Sequence, residues 1–472
     1  MKHVLAIEVA GNQAYIYRSN KLRESIGASE VLHSIGTSWI RDAVKTSPST
    51  DVVISTSAKA VLVDDERENL RKILTAITTR ALIEAPGVDV VGAIAPITGT
   101  FFTSLRETFR RIGTNRSQLN GPECRFPRIP TVDSCASTGG PAQVIGRDGA
   151  LASLEVSSKR NHAEDGNRRM KVPEARETIF RNLEQLEKFG FDSDWIAVVH
   201  ADGNGLGQLF LHVDVHLRSI GRSDAVDDVA IGSDLYRKFS VAVERCTRAA
   251  YEAAVIYTGD HPSRRGIVPV LIGGDDITAI VTGNAALPFA TKYCEEFAAV
   301  CAADSDLKDL KVQGLSASVA IAWIKPHFPY WSAYEMAAEL LAGAKSRGRA
   351  LWPGTSPSLL DVHVMYDSST VGSLATTPER ARLKAGPFVV GTTPDPQSLW
   401  TVDDLQACLT LIDNRDKKAS LPSSAVHSVR DHLTTSGVES AHRRIDELAA
   451  GDPSRAARWM QLKSFIPASD DP

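Results

Sequence analysis

Over the first hundred residues the apolar positions follow two different periods. "VLAIEV" (Val4 to Val9) alternates, runs into "AGNQAYIY", and reads as a strand. Ala28, Leu32, Ile35 and Trp39 then fall at steps of four, three and four, the stripe of an amphipathic helix. "VVIS" (Val52 to Ser55) and "AVLV" (Ala60 to Val63) are β-branched runs separated by a short turn. Leu70, Ile73, Leu74, Ile77 and Ala81 predict a second helix, and "VDVVGAI" (Val88 to Ile94) a fourth strand. The order is β-α-β-β-α-β.

The same order returns further along. "WIAVVHAD" (Trp195 to Asp202) is an almost continuous apolar strand, followed by the loop "GNGLG" and a long helical stretch. "VPVLI" and "ITAIV" flank "GGDD" as a hairpin. Phe289, Tyr293, Phe297 and Val300 make a helical stripe, and "LSASVAIAWI" (Leu315 to Ile324) supplies the last strand. The expectation is an α+β chain with two ferredoxin-like βαββαβ units: residues 1–100, and residues 191–370 with the acidic hairpin. The first copy's hairpin turn, "STSAK" (Ser55 to Lys59), carries no acid.

Residues 101–190 form a connecting region rich in Pro, Gly and Arg. Its polar run "SSKRNHAEDGNRRMK" reads as a solvated, mobile loop, with a local nucleic-acid contact as the alternative. Beyond Pro353 the pattern is loop-rich with one strand, "DVHVMY". Residues 371–472 are expected to be mostly helical, chiefly over 395–465, ending in a frayed "SDDP".

Composition narrows the class without deciding it. The chain has 472 residues, 43% of them hydrophobic, and a net charge of -4. That length holds several domains, and that charge supplies no global field for nucleic acid. No apolar run is long enough to span a bilayer or to act as a signal peptide, so no membrane is expected and the reading is cytoplasmic. Cys246, Cys294, Cys301 and Cys408 fall in helical stretches and read as buried thiols. Cys124 and Cys135 share a loop, but two cysteines fall short of the four ligands of a structural zinc, which is not expected.

The chemistry gathers in the second unit. In a βαββαβ sheet the first strand lies beside the second strand of the hairpin, so Asp202 comes to the same sheet edge as Asp275 and Asp276. Three such acids repel unless a cation lies between them, and an all-oxygen set suits Mg²⁺ or Mn²⁺. Two such ions can activate a hydroxyl and stabilise a pyrophosphate leaving group. Gly273 and Gly274 permit a tight turn and leave space for a nucleotide. Gly203, Asn204, Gly205 and Gly207, between a strand and a helix, offer N–H groups to phosphates. Ala337, Leu340, Leu341 and Ala344 form an apolar helix face ending beside Lys345, which could reach a triphosphate from the side opposite the metals. The alternatives are an ordinary turn with solvated acids and a solvated lysine. His200, inside an apolar strand, reads as a satisfied core histidine.

With "GNQAYIYRSNKLRESIGASEVL" in the first unit, and "HADGNGLGQLF", "GGDDITAIV" and "AAELLAGAK" in the second, the chain resembles the large polymerase-like subunit of type III CRISPR effector complexes. "DSCASTGGPA" between them fits as well. That family carries two palm domains, one with a GGDD hairpin, and is distantly related to the GGDEF nucleotidyl cyclases. The resemblance covers roughly residues 1–370, with the helical tail matching the family's C-terminal domain. It implies a nucleotidyltransferase that joins ATP into a cyclic oligoadenylate or related cyclic nucleotide, an antiviral second messenger. Asp202, Asp275 and Asp276 would be catalytic and, with the Gly203 carbonyl, would bind two Mg²⁺ or Mn²⁺ ions. The acceptor nucleotide would lie on the first palm, by way of "SNKLRESIGAS". The family also implies guide RNA, target RNA and other effector subunits as partners. Many members begin with an HD nuclease domain; this sequence starts at the first palm and has no His-Asp dipeptide, so no HD nuclease is expected. Three other readings stay open: an RNA-binding scaffold subunit using the basic stretch at Arg168 and Arg169, a stand-alone cyclase outside CRISPR, and a nucleotide sensor without turnover.

Overall fold

The computed structural model describes residues 1–19, 21–118, 125–126, 129–182, 185–186, 195–365, 386–392, 399–412 and 420–466. Its first sheet contains β1 (His3–Ala10), β2 (Asp51–Thr56), β3 (Lys59–Asp64) and β4 (Asp89–Pro96), in the spatial order β2-β3-β1-β4. Helices α1 (Asn12–Tyr17), α2 (Leu22–Gly36) and α3 (Arg67–Glu84) complete the unit. The strand expected to run through "AGNQAYIY" stops at Ala10. Gly11 takes φ 68°, a conformation open to glycine, and the chain turns into α1.

β1 is apolar on both faces because both are covered. Leu5, Ile7 and Val9 pack with Val31, Leu32, Ile35, Leu70, Ile73 and Ile77 of α2 and α3. Val4 and Ala6 face a second core, which includes Phe101, Phe102 and Leu105 of α4 (Phe101–Ser117).

The stretch read as a solvated loop is instead α5 (Leu154–Arg169), with Ser153 capping its first turn through Val156 N–H. Its polarity is absorbed by ion pairs. Lys159, fully buried, donates to Glu155 Oε1 (2.7 Å) and to the Tyr15 carbonyl (2.6 Å), while Arg160 meets Glu24 (2.9 Å). α5 lies so close to α2 that a Cβ on Gly27 would fall 1.7 Å from the Lys159 carbonyl oxygen. The low hydrophobicity of the run hid a helix stabilised by charge complementarity.

The second sheet is built from β7 (Ile196–Gly203), β8 (Ile267–Gly273), β9 (Asp276–Thr282) and β10 (Ala317–Ile324), ordered β8-β9-β7-β10, the same arrangement as in the first unit. It continues with β11 (Leu359–Val364), parallel to β10, and β12 (Phe388–Val389). A two-stranded ribbon of β5 (Val144–Ile145) and β6 (Leu151–Ala152) precedes α5. α6 (Val229–Gly259), α7 (Gly283–Ala303) and α8 (Tyr330–Leu351) cover the large sheet. The stripes expected on α7 and α8 are buried at Phe289, Tyr293, Phe297, Ala337, Leu340, Leu341 and Ala344. Cys246, Cys294 and Cys301 are buried in α6 and α7, and Cys408 is half-buried in a later helix.

The two units share packing. Val53, Ile54, Val61 and Val63 of the first belong to one apolar cluster with Tyr236 and Phe239 of α6. Leu271 of β8 belongs in turn to the first unit's core. Farther along, α9 (Val402–Ile412), α10 (Ser423–Ser436), α11 (Val438–Gly451) and α12 (Ala456–Ser464) gather around Leu411, Leu421, Val429, Ile445 and Trp459. Cys124, Tyr366 and the "SDDP" tail lie outside the described residues, whereas Cys135 is buried against Ala152 and Val156. Among the described residues no helix is long and apolar enough to cross a membrane.

Candidate active site: an acidic cluster between two palms

Strand register makes the cluster. β7 pairs with β9 as far as Ala201↔Ile277, so Asp202 is the next residue on one strand and Asp276 on the other. β8 and β9 close with Gly273↔Asp276, and Gly274 takes φ 63° in the turn. Asp202, Asp275 and Asp276, all half-buried, bring ligand atoms within 4.8 Å of one another. Among the described residues they form the one group of three or more ligating side chains.

The electrostatics show what the cluster lacks by itself. Burial, then the charge of Asp202, pushes the Asp275 carboxyl up to about 7. Asp276 is raised well above the carboxylate range by burial and by repulsion from Asp202 and Asp275. For Asp202 burial also disfavours ionisation, but the Lys345 ammonium and hydrogen bonds from Asp276 and Asp275 hold it below its ordinary value. One ionised acid beside two that resist ionisation is an arrangement a divalent cation would complete, and its oxygen-only donors fit Mg²⁺ or Mn²⁺.

Lys345 sits against Asp202 itself, ion-paired to its carboxylate and donating to the Gly203 carbonyl (2.7 Å). Gly203 has no room for a side chain: a Cβ would come within 2.2 Å of Leu206 Cδ1 and 3.1 Å of Asp275 Oδ2. Asn204 is committed to the scaffold. Its amide donates to Ser316 Oγ (2.8 Å) and the Pro357 carbonyl (3.1 Å), and its Oδ1 accepts from Ser318 (2.9 Å). Gly205 takes φ 70° ahead of the short helix Leu206–Leu211, and Gly207 lies on an open cleft. His200 is buried, contacts Thr278 Oγ1 (3.0 Å) and Ile277 O (3.1 Å), and has its pKa lowered by burial. That is the expected core histidine.

The cleft has a volume of about 570 Å³. Its second-unit wall includes Gly207, Phe210, Tyr236 and the hairpin from Gly273 to Asp276. Facing them are Glu8, Asn12, Ser57 and Lys59 of the first unit, with Arg106 and Phe109 of α4. Lys59 pairs with Glu8 (2.9 Å) and lies 4.9 Å from the Phe109 ring centroid. The segment expected to face the acceptor points elsewhere: Ser25 bonds to the Ile16 carbonyl and Tyr330, and Glu24 to Ser137 and Arg160. Sequence inspection did not single out the first-unit residues that line the cleft. The one signal for them was position, since Lys59 opens the first hairpin's second strand as Asp276 opens that of the other.

A duplicated ferredoxin-like unit, with acids on the hairpin of one copy and a cleft between copies, defines a double-palm protein. Residues 195–350 match the family model for the second palm domain of Cas10/Cmr2. Among solved structures the chain is similar to the Csm1–Csm4 cassette in complex with cA4 (13% identity, TM-score 0.52, covering 99% of this chain and 65% of that one). It is also similar to the cassette with cA3 (16%, 0.52, 100% and 66%). A third match is the Csm1–Csm4 subcomplex of the type III-A CRISPR-Csm interference complex (14%, 0.51, 100% and 66%). At these identities the likeness is one of fold, and the chain spans less than two thirds of each matched chain. No curated protein matches it.

Proposed function

We propose that this protein is a metal-dependent nucleotidyltransferase that condenses ATP, with release of pyrophosphate, into a cyclic oligoadenylate or related cyclic nucleotide in type III CRISPR-like defence. The observation that carries the reading is the convergence of Asp202, Asp275 and Asp276 within 4.8 Å on the wall of an inter-palm cleft. Metal ions held there would supply charge stabilisation for a ribose hydroxyl displacing pyrophosphate from an α-phosphate. The chain's own residues do the rest. Asp202, Asp275, Asp276 and the Gly203 carbonyl hold the cations. The backbone at Gly203, Gly205 and Gly207 and the bare surface of Gly273 and Gly274 admit a triphosphate. Lys345, beside Asp202 and the Gly203 carbonyl, would offer its ammonium to phosphate oxygens. On the opposite wall Lys59 and Asn12 orient the second nucleotide, and Phe109 and Phe210 offer apolar surface to a base.

The Csm1–Csm4 matches also support a role beside other effector subunits; guide and target RNA as activating partners follow from the family resemblance alone. Of the two arginines in the scaffold reading, Arg169 is turned inward, while Arg168 stays exposed and pairs with Asp165 (3.2 Å). The test is incubation of the full chain with ATP and Mn²⁺, alone and with partner subunits and RNA, followed by mass spectrometry. Cyclic adenylate from wild type and none from the Asp275→Ala, Asp276→Ala double variant is the expected result. Equal product from both would refute the assignment.

A further inference from the structure

Arg169, the last residue of α5, has its side chain only 17% exposed, and its guanidinium is shared among three elements. Nε donates to Glu30 Oε2 on α2 (2.6 Å) and Nη2 to Ser29 Oγ (3.4 Å). Nη1 donates to the carbonyl of Ile272 on β8 (2.9 Å). The backbone of Arg169 is fixed as well, because Arg248 of α6 donates to its carbonyl (2.9 Å) and to that of Lys171 (3.2 Å).

Ile272 immediately precedes the glycines of the acidic hairpin and faces Ile277 across it. Among the described residues β8 is the edge strand of its sheet; at its start the Ile267 carbonyl accepts from Phe180 N–H (2.8 Å), and near the tip the Ile272 carbonyl accepts from Arg169. Asp275 and Asp276 meet Asp202 on the second-palm side, while the glycines of the tip touch the first palm lightly. A Cβ on Gly274 would meet nothing within 4 Å, and the only contacts at Gly273 would be with Ser57. On the first-palm side a polar link to the hairpin's base is Arg169, which joins Glu30 of α2 to the Ile272 carbonyl.

We propose that Arg169 is a positioning residue that holds the Gly273–Asp276 hairpin in register with the first palm. Its planar fork meets a carboxylate and a backbone carbonyl together, a task a lysine's point charge does not reproduce. The turnover part of this inference rests on the nucleotidyltransferase reading; the structural part does not.

The experiment compares full-length wild type with Arg169→Ala, Arg169→Lys and Glu30→Gln by hydrogen exchange, Mn²⁺ titration and steady-state turnover of ATP, with melting temperatures as a check. In Arg169→Ala, amide exchange over residues 272–277 should quicken about tenfold, while β7 and β10 stay protected. Mn²⁺ affinity should fall, and kcat should drop about a hundredfold with KM for ATP nearly constant, the scale expected for a misplacement of about 1 Å. Arg169→Lys should recover part of kcat, and Glu30→Gln, which keeps the Ile272 contact, should lose little. Unchanged hairpin exchange in folded Arg169→Ala would overturn the proposal. So would a loss in Glu30→Gln equal to that in Arg169→Ala, since helix packing alone would then explain both. If wild type makes no product, the nucleotidyltransferase reading fails and the exchange result still decides the role of Arg169. Should Arg169→Ala not fold, Arg169→Lys is read by the same exchange criterion.

Discussion

The two palms share a strand order, and their central strands are of equal length, eight residues each in β1 and β7. Their hairpins are alike too, since each leaves two residues between strands: Ser57 and Ala58 in one, Gly274 and Asp275 in the other. By strand register Glu8 stands across from Lys59 in the first palm where Asp202 and Asp276 are the corresponding pair in the second, so β3 opens with a lysine where β9 opens with an acid. The same geometry thus presents an ion pair, Lys59 with Glu8, on one wall of the cleft and the acidic cluster on the other. Duplication supplied the cleft, and divergence at a few strand ends left a lysine at the first hairpin where the second carries acids.

Removing the acidic side should have the largest effect. Asp276→Asn is expected to cut product formation by about a thousandfold, the order seen when a preorganised electrostatic group is lost. By relieving the repulsion that raises the Asp275 and Asp276 pKa values, it should also increase metal-free melting temperature by about 2 °C. A variant that melts lower would show that the cluster is not strained without a cation.

Removing the basic side should cost less. Lys59→Ala is expected to raise KM for ATP by about tenfold with a smaller change in kcat, the worth of one charge-assisted hydrogen bond. An unchanged KM would mean that Lys59 serves only Glu8.

The contact between the hairpin tips is subtler. A Cβ on Gly273 would lie 2.8 Å from Ser57 Cβ, so Gly273→Ala should press the palms apart and lower kcat about fivefold, at about 1 kcal/mol of stability. Adding Ser57→Gly should restore most of both, and a double variant no better than the single would break the link between the tips.

The smallest effect concerns pH. The Asp275 carboxyl rises from 3.8 to about 7 on folding, so the folded chain holds an extra proton between those values. The stability this confers is present at low pH and disappears as pH rises through about 7. A cation needs the ionised form, so Mn²⁺ should raise the melting temperature more at pH 8 than at pH 6, by about 2–4 °C. Equal shifts at both values would argue against ligation by Asp275.

Much of this was legible without coordinates because it depends on periodicity. Apolar alternation and helical stripes marked the eight strands of the two repeated units, and their order brought Asp202 to Asp275 and Asp276. The parts that were not legible depend on polar residues whose partners lie far away in sequence. α5 looks like a solvated run because Lys159, Arg160 and Arg169 are polar, yet Tyr15, Glu24 and Glu30 turn it into a packed helix. The residues facing the acids were hidden for the same reason. Glu8 and Lys59 face the acidic hairpin only where the two palms meet at the cleft.

By itself, then, the sequence determined the duplicated fold and the acidic cluster, because hydrophobic period and strand order are local properties that survive without a partner. Only the tertiary structure decided which residues complete the cleft, that Lys345 stands on Asp202, and that Arg169 is turned from solvent to the base of the hairpin. Those outcomes depend on how two palms and a connecting helix share one core, and long-range packing and charge pairing leave no periodic trace along the chain.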